Sequence, residues 1–195
     1  MILYNSALKH INSNVIETPC DYYKQGNKIV LSNDIILNTQ LPIQFSQCDF
    51  LYAEIPWLSG FKTFNKNKNS LNNRTYNDLA NSITNIINTK KPIYLVLCNA
   101  LLKKLPNPKN QKNIKLNGDD AIIAWWHTNK EPIGKTTNEI CKNFTYKCMG
   151  DFMCGFGQSV FDFNKDFVAS DFDKNCIGVI KKRLKEQKIS KWKFI

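Results

Sequence analysis

Arginine and histidine are scarce in this chain, which contains only Arg74, Arg183, His10 and His127. Two arginines leave few candidates for bidentate reading of guanine. Two histidines far apart in sequence, together with seven cysteines that form no Cys-x-x-Cys pair, argue against a zinc site. The odd number of cysteines also argues against a disulfide framework. We therefore expect reduced, packed thiols and no bound metal.

Long apolar runs are missing as well. No stretch approaches the roughly 18 apolar residues that a membrane-spanning helix needs. The opening segment MILYNSALKH has too short an apolar run for a signal peptide. We therefore expect no membrane partner and a cytoplasmic location.

What the chain does contain is typical of a folded protein. Its 195 residues are 43% hydrophobic and 12% aromatic, enough for one domain over residues 1–195 with a substantial core. Residues 1–27 show little periodicity and are expected to form an N-terminal extension. The net charge of +11 favours a polyanionic partner, although scattered lysines can also serve solubility alone.

Apolar patterns predict alternating strands and helices. Strands are predicted at 28–32, 48–53, 93–98, 121–126, 149–154 and 167–170, and helices at 75–88, 137–144 and 174–188. The runs at 48–53 and 93–98 are almost continuously apolar, which is typical of strands covered on both faces. The expected fold is α/β, with a mostly parallel sheet between helices.

A glycine turn at Gly155 and Gly157 and a short predicted helix separate the last two predicted strands, and an acidic cluster at Asp171 and Asp173 follows them. Glycines let the backbone approach a ligand closely, and a carboxylate at the tip of the next strand can accept hydrogen bonds from ribose hydroxyls. The pattern predicts a nucleoside site. A simple turn between two elements is the alternative.

The segment Asp151-Phe152-Met153-Cys154-Gly155-Phe156-Gly157-Gln158 resembles the D-P-F-x-G-x-G-T motif, which binds S-adenosylmethionine in amino-methyltransferases acting on nucleic acid. Circularly permuted members carry a [DNS]-P-P-[YFW] tetrapeptide earlier in the chain, where this sequence has Glu54-Ile55-Pro56-Trp57. The first two residues depart from that pattern. The resemblance implies a Rossmann-like, circularly permuted fold.

The resemblance also implies S-adenosylmethionine as the cofactor. Asp171 would hold the ribose, Phe172 would flank the adenine, and Asp34 would lie near the adenine end. The motif residues Asp151, Phe152, Cys154, Gly155 and Gly157 would shape the rest of the cofactor site. Two alternatives remain open, since Asp34 suits a helix cap and Phe172 suits the core equally well.

The catalytic tetrapeptide has a clear physical task. An exocyclic amine is a poor nucleophile because its lone pair is delocalised into the base, so two acceptors must hold its hydrogens and aim the lone pair at the methyl group. Glu54 and the Ile55 carbonyl would be those acceptors, Pro56 would fix the turn, and Trp57 would stack on a flipped base. The alternative is a strand-end acid followed by an ordinary turn.

Two lysine-rich stretches, 58–74 and 103–118, are expected to be basic loops that contact phosphates. Their candidate residues are Lys62, Lys66, Lys68, Arg74, Lys103, Lys104, Lys109 and Lys112. The first stretch could instead be a disordered surface loop. Only about ten residues separate the strand at 121–126 from the helix near 137, which leaves no room for a separate target-recognition domain. Specificity would then be low, or would come from a partner subunit or a homodimer.

Taken together, these features predict methyl transfer to the exocyclic amine of a base, with adenine N6 in DNA as the simplest target. A catalytically silent methyltransferase-like subunit that binds nucleic acid or a partner is the alternative from a different class. An RNA substrate is a third possibility.

Overall fold

A computed structural model describes residues 21–38, 40–55 and 75–192. Within these residues, eight strands form a single sheet. The strands are β1 Tyr22–Gln25, β2 Lys28–Ser32, β3 Phe50–Glu54, β4 Ile93–Leu97, β5 Asn110–Leu116, β6 Asp119–Trp126, β7 Cys148–Asp151 and β8 Asp166–Asp171.

The helices alternate with the strands along the chain. They are α1 Ile35–Asn38, a 3₁₀ helix at Ile43–Gln47, α2 Tyr76–Ile87, α3 Asn99–Leu102, α4 Thr137–Asn143, α5 Gln158–Phe163 and α6 Lys174–Trp192. The helices predicted at 75–88, 137–144 and 174–188 correspond to α2, α4 and α6, and the short helix predicted after the glycine turn corresponds to α5. Capping boxes start α2 and α4, where Thr75 pairs with Asp78 and Thr136 pairs with Glu139. No helix in the described part of the chain is long and apolar enough to cross a bilayer.

The strands lie in the order β1-β2-β8-β7-β3-β4-β6-β5. The five central strands, β2, β8, β7, β3 and β4, are parallel. At the two edges, β1 pairs antiparallel with β2, and β6 pairs antiparallel with both β4 and β5. If β7 is counted as strand 1, β8 as 2, β2 as 3, β3 as 4 and β4 as 5, the parallel strands lie in the order 3-2-1-4-5 of doubly wound sheets. This count runs from β7 to the end of the chain and resumes at its start. The predicted circular permutation is therefore confirmed, and the switch point lies between β7 and β3.

Both faces of the sheet are covered. One core cluster contains Ile140 of α4, Val160 of α5 and Ile177 of α6. The opposite cluster contains Ile83 of α2 and Leu101 of α3. The predicted arrangement of helices on both faces is confirmed, and burial on both sides explains why the central strands read as continuous apolar runs.

Two regions that we expected to be irregular contain strands. Inside the supposed N-terminal extension, β1 pairs antiparallel with β2. In the supposed loop at 103–118, β5 pairs with β6 through a tight turn at Asn117 and Gly118, whose φ angles are 52° and 92°. An Asn-Gly pair with positive φ at both residues is the strongest short hairpin signal, and the surrounding lysines obscured it. Alternating exposure then buries Ile114 and Leu116.

The strand predicted at 149–154 is too long. β7 ends at Asp151, and the next residues leave the sheet to build the glycine turn. The Phe152 N–H donates to the Tyr52 carbonyl at 3.3 Å, and the Cys154 N–H donates to the Ser170 carbonyl at 3.0 Å. Their apolar side chains still pack into the core, which is why the sequence looks like a strand there.

Candidate active site

Three acidic side chains meet at the carboxyl ends of neighbouring parallel strands. Glu54 ends β3, Asp151 ends β7 and Asp171 ends β8. In the sheet register, Tyr52 lies beside Asp151, and Asp151 lies beside Ala169. Side chains two positions apart in a strand share a face, so Glu54 follows Tyr52 and Asp171 follows Ala169. All three carboxyl groups therefore lie on the face covered by α4, α5 and α6. Ligands of doubly wound sheets bind in the crevice beyond this edge, at the switch point.

The Asp171 carboxylate holds the glycine turn in place. Its Oδ2 accepts a hydrogen bond from the Gly155 N–H at 2.9 Å, and its Oδ1 accepts one from the Asp173 N–H at 2.9 Å. The predicted ribose ligand is therefore also the anchor of the turn. Removing this carboxylate would leave two backbone donors to find new partners.

The two glycines of the turn have different roles. Both have positive φ, 49° at Gly155 and 80° at Gly157. A Cβ added at Gly155 would meet no heavy atom within 4 Å, whereas one at Gly157 would lie 2.7 Å from Cγ1 of Ile180. Gly155 thus exposes its backbone to open space, where a ligand can approach. Gly157 is required because α6 packs directly against it.

Asp151 is buried, with 1% of its surface exposed. Its Oδ1 accepts a hydrogen bond from the Met153 N–H at 3.2 Å, and its Oδ2 accepts one from the Ser159 hydroxyl. Burial raises the pKa of Asp151 to about 8, and the negative charges of Glu54 and Asp171 contribute to the rise. The cluster therefore favours a cationic ligand.

Glu54 is held by a side-chain hydroxyl rather than by backbone amides. The Tyr52 hydroxyl donates to its Oε1 at 2.9 Å, whereas the Thr137 hydroxyl donates to the Asn138 side chain at 3.4 Å. Burial raises the pKa of Glu54, and the hydroxyls of Tyr52 and Thr137, which favour the carboxylate, oppose the rise. Hydroxyl rotors can turn away, so this carboxylate can change partners without moving the backbone.

The rest of the predicted tetrapeptide is described only as far as Ile55. Its side chain is buried in the core, and its N–H donates to the Val96 carbonyl at 2.8 Å. Pro56 and Trp57 lie outside the described residues. The stacking role predicted for Trp57 stays a prediction.

The adenine end of the predicted site lies beside β2, which pairs Ser32 with Asp171. Asp34 follows this strand, and its Oδ1 accepts a hydrogen bond from the Ile36 N–H at 3.1 Å, so the helix-cap alternative describes what it does. The neighbouring Asn33 is buried, and its Nδ2 has no hydrogen-bond partner within the described residues. Phe172 is half-buried next to this edge.

Sequence reasoning missed three hydroxyl groups of this site, those of Tyr52, Thr137 and Ser159. Tyr52 could have been found, because residues two apart in a strand share a face and Glu54 lies two positions further on. Ser159 and Thr137 come from the first turns of α5 and α4. Only the folded topology brings those two residues to the acidic cluster.

The predicted phosphate-binding lysines that the structure describes do not form one surface. Lys103 and Lys104 directly follow α3, which begins after the carboxyl end of β4. Lys109 precedes β5 at the opposite edge of the sheet, beside an open pocket that contains His127. The Lys112 ammonium donates to the Pro132 carbonyl and lies 3.5 Å from Glu131. Residues 62, 66, 68 and 74 lie outside the described part of the chain.

Solved structures share this architecture. TTHA0409 from Thermus thermophilus, assigned as a DNA modification methylase, matches with a TM-score of 0.50 and 8% identity over 79% of this chain and 93% of its own. This chain shares the fold of that protein. M1.HpyAVI in complex with SAM matches with a TM-score of 0.49 and 11% identity over 79% of this chain and 98% of its own. Comparisons with protein-family models and with curated protein sequences find no match.

Proposed function

We propose that this protein is an S-adenosylmethionine-dependent methyltransferase that acts on the exocyclic amine of a base in DNA, with adenine N6 as the target. One observation carries the proposal. Glu54, Asp151 and Asp171 lie on one face at the switch point of the sheet, beside a glycine turn whose Gly155 borders open space. A nucleoside cofactor with a cationic end suits this arrangement in both shape and charge.

The residues present fit such a cofactor. The negative charges of Glu54 and Asp171 raise the pKa of Asp151, so a sulfonium and an ammonium group would relieve this repulsion. Asp171 and the Gly155 backbone would hold the ribose and methionine portions, and Asp151 would face the ammonium group. The buried Nδ2 of Asn33 offers a donor beside the nucleoside end. When bound, the cofactor supplies a methyl group activated by its sulfonium.

Glu54 and Ile55 would handle the amine of the base. The Glu54 carboxylate accepts one N–H, and the Ile55 carbonyl accepts the other, which aims the nitrogen lone pair. Tyr52 holds the longer glutamate side chain, and the hydroxyls of Tyr52 and Thr137 favour its charged form. Glu54 is also positioned to take up the proton that the amine loses after methylation.

The net charge of +11 supports a nucleic-acid substrate. DNA is the favoured form, because the fold neighbour TTHA0409 is assigned as a DNA modification methylase. Adenine is favoured by the resemblance of the segment that begins at Glu54. We further propose that the whole chain is one domain. The short connection 127–136 between β6 and α4 implies that target choice is weak or comes from a partner subunit.

A silent methyltransferase-like subunit is the second candidate. The observation that favours it is the engagement of Glu54 by the Tyr52 hydroxyl, together with isoleucine at the position where the family motif has proline. In that case the site would bind the cofactor without turnover.

The decisive assay incubates the protein with methyl-labelled S-adenosylmethionine and duplex DNA, single-stranded DNA or RNA, followed by digestion and mass spectrometry of the nucleosides. We expect N6-methyladenine from DNA. Glu54→Gln should lower its formation at least ~100-fold, because a neutral amide is a poorer acceptor and cannot take up a proton, while cofactor binding is kept. Cofactor binding without any methylated base would support the silent subunit instead.

A further inference from the structure

Two thiols lie together at the end of the sheet opposite the acidic cluster. The Sγ atoms of Cys48 and Cys148 are 3.6 Å apart although the residues are 100 positions apart in sequence. Both thiols are free. Cys48 precedes β3 and Cys148 is the first residue of β7, so the two thiols lie at the starts of the strands that flank the switch point. Nothing in the proposed methyl transfer uses either residue.

We propose that Cys48 and Cys148 form an oxidisable dithiol, whose disulfide reversibly ties the start of β3 to the start of β7. A disulfide needs a sulfur–sulfur distance of about 2.05 Å, so the two sulfur atoms must approach by about 1.5 Å. Side-chain rotation can supply such a movement. The backbone is already fixed around the pair, because Asp49 N–H donates to the Cys148 carbonyl at 2.9 Å and Asp49 Oδ2 accepts from Cys148 N–H at 3.0 Å.

The two thiols differ in a way that suits sequential oxidation. Cys148 is half-buried and accessible, whereas Cys48 is buried with 2% of its surface exposed. The Cys48 thiol and the nearby Lys91 ammonium lower the pKa of Cys148, while the neighbouring sulfur and burial raise the pKa of Cys48. Cys148 is therefore the attacking thiolate and Cys48 the resolving thiol.

An oxidant of the disulfide class, such as oxidised glutathione, balances the reaction. The Cys148 thiolate attacks one sulfur of oxidised glutathione, forms a mixed disulfide and releases one glutathione thiolate. Cys48 then attacks the Cys148 sulfur, passes its proton to the released thiolate and expels the second glutathione. Two protein thiols are oxidised and one glutathione disulfide is reduced to two thiols.

The test treats the full-length protein with oxidised glutathione, alkylates the remaining thiols and maps linked peptides by mass spectrometry without reduction. We expect Cys48 linked to Cys148, and recovery of both thiols after dithiothreitol. The wild-type chain suffices for this map, so no variant has to fold. Linkage of either residue to another cysteine, or a persistent glutathione adduct on Cys148 beside a free Cys48, would overturn the proposal.

A stability measurement tests the tie itself. The oxidised protein should unfold at a higher urea concentration than the reduced protein, because the bridge closes a long loop in the unfolded chain. Cys148→Ser should abolish this difference, whereas Cys98→Ser, which alters another half-buried free thiol, should keep it. An unchanged urea midpoint in the bridged wild-type protein would contradict a tie between β3 and β7.

Discussion

The carboxylates that end β8 and β3 are held by different kinds of donor. Asp171 accepts two backbone amides, those of Gly155 and Asp173, so its position is part of the chain path itself. Glu54 accepts the hydroxyl of Tyr52, which can rotate. Backbone donors suit a fixed binding wall, and side-chain donors suit a group that must exchange partners during a reaction.

Asp151 lies between these two extremes, since it accepts one backbone amide and the Ser159 hydroxyl. Its pKa is raised to about 8 in the fold, so the folded protein binds a proton that the unfolded chain has already lost above about pH 4. The stabilising effect of that proton is present at low pH and is lost as pH rises towards 8. Between pH 5 and pH 8 the wild-type protein should lose about 3 kcal/mol more unfolding free energy than Asp151→Asn, as measured by urea unfolding. Equal pH dependence in both proteins would contradict burial of this acid.

The next largest effect separates the packing glycine from the open one. Gly157→Ala should cost about 2 kcal/mol of unfolding free energy, because its Cβ would lie 2.7 Å from a core isoleucine at an unfavourable φ. Gly155→Ala, with no heavy atom within 4 Å, should cost only about 1 kcal/mol for its positive φ. Denaturant unfolding of both variants measures the difference. The reverse order would contradict a ligand-accessible backbone at Gly155.

Tyr52→Phe tests whether hydroxyl donors tune Glu54. Because the Tyr52 hydroxyl bond lowers the pKa of Glu54, its loss should raise that pKa and move the acidic limb of the pH–rate profile to higher pH. Turnover at neutral pH should fall about tenfold, the equivalent of one lost hydrogen bond to a charged group. Ser82→Ala, at a buried hydroxyl in α2 that bonds the Asp78 carbonyl at 3.0 Å, serves as a control. A drop in rate without a shift of the profile would assign Tyr52 a purely structural role.

The smallest effect concerns the exposed lysines at opposite edges of the sheet. Lys103 follows α3 at the carboxyl ends of the strands, where the active site lies. Lys103→Ala should therefore weaken DNA binding by less than about 1 kcal/mol and reduce the salt dependence of binding by about one charge. Lys109→Ala, a matched change at the other edge, should leave both quantities unchanged. Fluorescence anisotropy at several salt concentrations measures them. If both variants lost the same DNA affinity, the DNA would have to run from the carboxyl ends of the strands to their amino ends.

Much of this fold could be predicted from sequence because its signals are local. Continuous apolar runs marked β3 and β4, and the apolar pattern at 75–88 marked α2. The hairpin of β5 and β6 was missed because Asn117 and Gly118 stand within a lysine-rich stretch that resembles a loop. The lysine-rich composition of residues 103–118 suggested a loop, although the Asn117-Gly118 pair predicts a hairpin turn.

The site was predictable only where one motif carries it. The spacing from Gly155 to Asp171 predicted a nucleoside site, and the structure brings these two residues into contact at 2.9 Å. The support of Glu54 was not predictable, because Thr137 comes from a helix 83 positions further along the chain. Likewise, a strand prediction cannot say that β7 stops at Asp151, since the residues after it remain buried while leaving the sheet.

The central claim is that the acidic switch point binds S-adenosylmethionine, and calorimetric titration tests it most directly. We expect micromolar binding of both S-adenosylmethionine and S-adenosylhomocysteine to the wild-type protein. Asp171→Ala should weaken both at least about tenfold, because it removes the ribose ligand and releases the glycine turn. An absence of binding to the folded wild-type protein, or undiminished affinity in Asp171→Ala, would contradict the account.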